Sequence, residues 1–110
     1  MKKIVNLTPH ALNLVSGDGA VTIPPSGTIA RVAVTRETIG AIEVDGVSIP
    51  INRTVYGAVE GLPDPAPDTV YVVSALVAQA VTGREDVLIV DDLVRDDQGR
   101  VVGARALAKV

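Results

Sequence analysis

Val70–Asp92, VYVVSALVAQAVTGREDVLIVDD, is the stretch that decides the fold. Tyr71–Val73 and Val87–Val90 are short, wholly apolar runs, each near the length of a fully buried strand. Between them Ser74 can cap a short helix, and Gly83 can end it. A crossover of this length can join two parallel strands, which are normally covered on both faces. In open α/β sheets, ligands tend to gather where such strands end. Ser74, Asp91 and Asp92 are expected at those ends.

Working outward, most of the chain reads as strand. Lys3–Leu7 alternates weakly until Pro9 interrupts it. Ala11–Val15 and Ala20–Ile23 flank Ser16–Gly19, where Gly17 and Gly19 can adopt positive φ, so this is a hairpin. Pro24, Pro25 and Gly27 end it. Thr28–Thr35 and Thr38–Val44 read as two successive strands. Asp45-Gly46 is a strong two-residue turn, against which Val47–Ile51 can return. Arg53–Val59 is a further strand containing Tyr56. Glu60–Asp68 holds three prolines and three acids, so it is a surface loop and a possible lid over a site. Asp96–Gly99 is a turn, and Val101–Ala106 is the last strand. The expected fold is therefore α+β: a β-rich single domain over residues 1–110, mostly antiparallel hairpins. To these is added one strand-helix-strand unit over residues 70–90, with one short helix.

Composition narrows the classes. With 110 residues the chain is long enough for one core. It has no Phe or Trp and only two Tyr, so Val, Ile, Leu and Ala must build that core. Mean hydropathy of +0.36 is high for so small a domain, which predicts apolar surface shared between subunits, a homo-oligomer. A net charge of −3 argues against DNA or RNA as partner. The absence of cysteine excludes thiolate metal sites and agrees with a reducing cytoplasm. No apolar run is long enough for a membrane span. One His without Cys makes zinc improbable, and the acids at Asp91-Asp92 and Asp96-Asp97 lack the spacing of a calcium loop. No cofactor or metal is expected.

Chemistry can rest on few side chains. His10 ends the segment NLTPH, beside Thr8, and imidazole can donate to a ligand or transfer a proton near neutrality. Seven of the ten basic residues are Arg, and Arg31 and Arg53 fall inside expected strands. Their planar forks suit phosphate or carboxylate, although pairing with Glu37, Glu43 or Glu60 would also account for them. Ser74 opens a helix whose free N–H groups favour an anion. Tyr56 or Tyr71 could stack on a base.

The blocks NLTPHALNL, RTVYGAVEGLP, YVVSALVAQA, DVLIVDD and RDDQGRVVGARAL resemble, in order and over nearly the whole chain, a family of small proteins of tailed bacteriophages and bacterial mobile elements. The resemblance implies a phage accessory protein of the host bacterial cytoplasm and carries over no reaction. By analogy with small phage proteins that act against host defence, the expectation is a binding protein that sequesters a nucleotide or phosphorylated immune signal. Its ligand-binding residues would be His10, Thr8, Arg31, Arg53, Tyr56 and Ser74. Two alternatives stay open. One is a small phosphodiesterase-like enzyme cleaving nucleotides with His10, assisted by Asp91 or Asp92. The other is an interaction module that covers a host or virion protein.

Overall fold

The computed structural model describes residues 2–110. Its elements are β1 (Lys3–Asn6), β2 (Leu12–Ser16), β3 (Gly19–Ile23), β4 (Arg31–Val44), β5 (Val47–Glu60), β6 (Thr69–Val72), α1 (Ala75–Ala80), β7 (Val87–Arg95) and β8 (Val101–Ala108). Six strands form one sheet in the order β1-β6-β7-β8-β2-β3, and β4 and β5 form a separate two-stranded ribbon. The domain is β-rich, with antiparallel hairpins and one short helix. No described helix is long and apolar enough to cross a membrane.

The large sheet is mixed, with the expected antiparallel hairpins and, in addition, parallel pairs. β1 with β6, β6 with β7, and β2 with β8 are parallel, whereas β7 with β8 and β2 with β3 are antiparallel. Parallel pairing joins segments distant in sequence, and local turn signals carry no information about it. Tyr71 and Val72 lie beside Val87 and Leu88, and the Val73 N–H continues to the Leu88 carbonyl at 3.0 Å. The core gathers on this part of the sheet: Leu7, Ala30, Tyr71, Val73, Val77, Ala78 and Val87 are buried together. Val72 is fully enclosed.

α1 follows from its cap. Ser74 is extended at φ −68°, and its hydroxyl accepts the Val77 N–H at 3.4 Å. Val77 and Ala78 form the buried side. The helix stops at Ala80, with Val81 as its C-cap, before Gly83 is reached.

Other boundaries also move. The two expected strands 28–35 and 38–44 are one strand of 14 residues, and 47–51 and 53–59 merge into another. Register shifts between Val32 and Val34 and between Thr38 and Gly40 absorb the irregularities without ending the ladder. The Asp45-Gly46 turn closes the ribbon with φ of 52° and 80°, as a hairpin whose two central residues are both left-handed requires. Gly17 and Gly19, by contrast, are outside the positive-φ set. β7 runs through Asp91 and Asp92 to Arg95, so these acids are mid-strand and not at a strand end. Asp92 has φ 51°, and its carboxylate lies 3.6 Å from Arg105 on β8.

Glu60–Asp68 is a surface loop tied to the body. Arg84 donates to the Pro63 carbonyl at 3.0 Å and Tyr71 Oη to the Asp64 carbonyl at 3.1 Å. The loop enters β6 at Thr69, whereas Ser74 lies beyond the other end of that strand. It is therefore not a lid over the helix cap.

Candidate functional site

The loop between β1 and β2 is organised by one buried amide. Asn6 is 1% exposed, yet every polar atom of its side chain is used. Its Nδ2 donates to the His10 carbonyl at 2.7 Å and to the Ile23 carbonyl at 3.1 Å. Its Oδ1 accepts the Thr8 N–H at 3.0 Å and the Thr8 hydroxyl at 2.7 Å. The Asn6 carbonyl accepts the Ser26 N–H at 3.0 Å. β1 and β3 are opposite edges of the six-stranded sheet, so Asn6 draws its two ends together through a side chain rather than a ladder. The same bonds fix Thr8-Pro9-His10 in one conformation. A buried amide left unpaired would cost about 1–3 kcal/mol, which makes this network specific as well as cohesive.

Thr8, Pro9 and His10 form one wall of a groove of about 900 Å³. Val72, Val73 and Ser74, leaving β6, form another, with Ile89, Val90 and Leu93 of β7 beside them. Leu12 and Asn13 of β2 and Val101–Ala104 of β8 complete it. The groove thus lies at the C-terminal ends of the parallel strands β1 and β6, where an α/β sheet leaves room for a ligand. Gly103 shapes its floor: a Cβ there would stand 2.8 Å from the Asn13 carbonyl, too near for any other residue without movement. Asn13 is held by the Val102 carbonyl at 3.2 Å and by the Thr22 hydroxyl at 3.0 Å.

The walls are mainly aliphatic, and the polar groups are few: Thr8, His10, Asn13 and Ser74. His10 is exposed, and the hydrogen bonds it makes run through its backbone, with no carboxylate bonded to its imidazole among the described residues. Among the described residues no group of three His, Asp or Glu side chains is arranged to hold a metal.

Thr8, His10 and Ser74 are therefore brought together. Arg31, Arg53 and Tyr56 are not among the groove residues. All three sit on the β4–β5 ribbon. Arg53 pairs with Glu37 at 2.9 Å, both exposed, and Arg31 stands opposite Glu60 in the ladder. Tyr56 Oη bonds the Gln79 side chain on α1 at 2.8 Å. Thus the sheet-face pairing considered for the arginines is present for Arg53, and both arginines lie on the ribbon, outside the groove. Asn6 and Asn13 build the site without a motif to mark them; their signal is a lone amide beside Ile4–Val5 and between Leu12 and Leu14.

No protein-family model, curated protein or solved structure matches this chain.

Proposed function

We propose that the groove is a small-molecule site and that the protein captures its ligand without turning it over. The observation that carries this reading is the Asn6 network, which holds Thr8 and His10 rigidly over an aliphatic cleft. Its volume is of the size that drug-like and nucleotide ligands fill, and few polar groups on apolar walls is the usual composition of such sites. A rigid wall lowers the ordering cost of binding. The walls suit a planar or apolar moiety, such as a nucleobase. His10, Thr8 and Ser74 would supply hydrogen bonds at the rim, with any phosphate directed to solvent. His10 stands without an orienting acid, which favours capture over proton transfer. Taken with the resemblance to phage accessory proteins, this reading is sequestration of a nucleotide or phosphorylated immune signal in a bacterial cytoplasm.

The test is native mass spectrometry of protein purified from bacterial cytoplasm. Titration calorimetry with a panel of cyclic and linear nucleotides would accompany it. A retained ligand, released intact on heating and held about tenfold less tightly by His10→Ala, is the expected result. A His10-dependent product would replace capture with catalysis. No retention of any small molecule would overturn the reading.

A further inference from the structure

The β4–β5 ribbon is an arm with too little of its own to cover it. The molecule measures 58 × 39 × 22 Å, and its radius of gyration is 17.7 Å, against about 13 Å for a compact chain of this length. The base of the arm is packed, since Val32 and Val59 lie against the core and α1 touches both strands. Beyond that base the side chains are exposed on both faces. A lone two-stranded ribbon is marginal in water, and both outer edges of this one are unpaired.

The exposed residues are not random. Ile42 stands opposite Ile49 and Val44 opposite Val47, with Ile51 opposite Gly40. In β5 the alternation puts Val47, Ile49, Ile51 and Arg53 on one face. Ile42, Val44, Val47, Ile49 and Ile51 are 44–56% exposed. Together they offer on the order of 500 Å² of apolar surface, at the upper end of what a monomer leaves open. A face of that size falls below the roughly 800 Å² per partner of a standard interface and suits a reversible dimer.

Charge is arranged symmetrically about the centre of that face. Asp45 lies four residues before Ile49 and Arg53 four residues after it. A two-fold axis at Ile49 would stack each Ile49 on its copy, set Val47 against Ile51, and bring the Asp45 tip of each arm to the Arg53 of the other. Tip-to-tip packing would instead crowd Asp45 against its own copy. We propose that this face of the arm is a self-complementary interface, and that two copies of the chain pair through antiparallel arms about Ile49. The inference is independent of the groove and of any ligand.

The chain has no cysteine, so a single one reports cleanly. Ile49→Cys should yield a disulfide-linked dimer under mild oxidation, whereas Val21→Cys, on an exposed strand of the body, should not. Light scattering should show a wild-type dimer at about 100 µM protein that Ile49→Asp converts to monomer with an unchanged circular dichroism spectrum. Asp45→Asn, which keeps a residue suited to the left-handed turn, should raise the dimer dissociation constant severalfold at low salt. A monomeric wild type, a dimer indifferent to Ile49→Asp, or an unchanged dissociation constant in Asp45→Asn would each overturn the proposal. Failure to bind nucleotides would not affect it.

Discussion

The six-stranded body and the β4–β5 arm are written in the same alphabet and buried differently. Both are strands of Val, Ile, Thr and Ala. In the body, Leu7 at 2% exposure and Val72 at 0% have neighbours on every side. In the arm, Ile49 and Ile51 repeat the same chemistry beside water. Strand propensity is thus not what separates them. The separation comes from sheet membership: the body strands pair into a sheet six strands wide, while the arm is a ribbon two strands wide. Burial is a property of the partner, and a strand alone does not possess it.

Single substitutions can break that contrast, and the largest effect lies in the body. Leu7→Ala should cost about 2–5 kcal/mol in urea unfolding, because the cavity has no room to collapse among Ala30, Tyr71 and Val73. Next comes the hinge between the two regions. Gly61 has φ +79°, and a Cβ there would lie 2.5 Å from the Ile29 carbonyl. Gly61→Val should destabilise by about 1–3 kcal/mol and loosen the arm base, read as faster amide exchange at Val32 and Val59.

Asn6→Ala should cost a similar or slightly smaller amount, about 1–3 kcal/mol. It leaves the His10 and Ile23 carbonyls without their donor. It should also broaden the backbone resonances of Thr8 and His10, so the groove wall loses order even where the fold survives.

A smaller effect depends on pH. The Arg84 hydrogen bond, at 2.8 Å to each carboxylate oxygen of Asp86, holds that carboxyl below the ordinary carboxylate range. The contribution is complete above about pH 4, where the unfolded carboxyl is ionised, and is lost as pH falls through the lower folded-state value. The loss of urea midpoint between pH 7 and pH 3 should therefore be larger in the wild type than in Asp86→Asn. The smallest effect is expected on the arm. Ile49→Ala should change the unfolding free energy of dilute monomer by less than about 0.5 kcal/mol, the value of an unburied surface residue.

Much of the local structure was legible because local chemistry dictates it. Asp45-Gly46 had to turn, Ser74 had to cap, and EGLPDPAPD had to stay outside a ladder. The continuity of β4 and β5 was hidden by Thr35-Arg36-Glu37-Thr38 and Asn52-Arg53, which look like interruptions. On a ribbon open on both faces, such residues are as comfortable as valine. Asp91 and Asp92 misled in the same way: they read as a strand terminus, but Arg105 stands across the ladder and the strand passes through.

The site was half legible. NLTPH and Ser74 converge because both follow the ends of adjacent parallel strands. Arg31, Arg53 and Tyr56 diverge because they lie on a ribbon exposed on both faces, where an arginine inside a strand stays in solvent. What no pattern of residues revealed was Asn6 as the clamp between the sheet's opposite edges. Closure of that kind depends on which strands end up as edges.

The ladder between β1 and β6 joins Lys3–Asn6 to Thr69–Val72, across most of the chain. During synthesis the first strand must wait, unpaired, until the ribosome has released residue 72. The arm needs only its own two-residue turn, and a hairpin closes in about 1–10 µs. It is therefore complete seconds before the body, at about 5–20 residues per second of elongation. Its aliphatic face is then ordered and exposed before the body is finished. On a crowded polysome, neighbouring nascent chains carry the same face, and pairing between them can begin before either has a core.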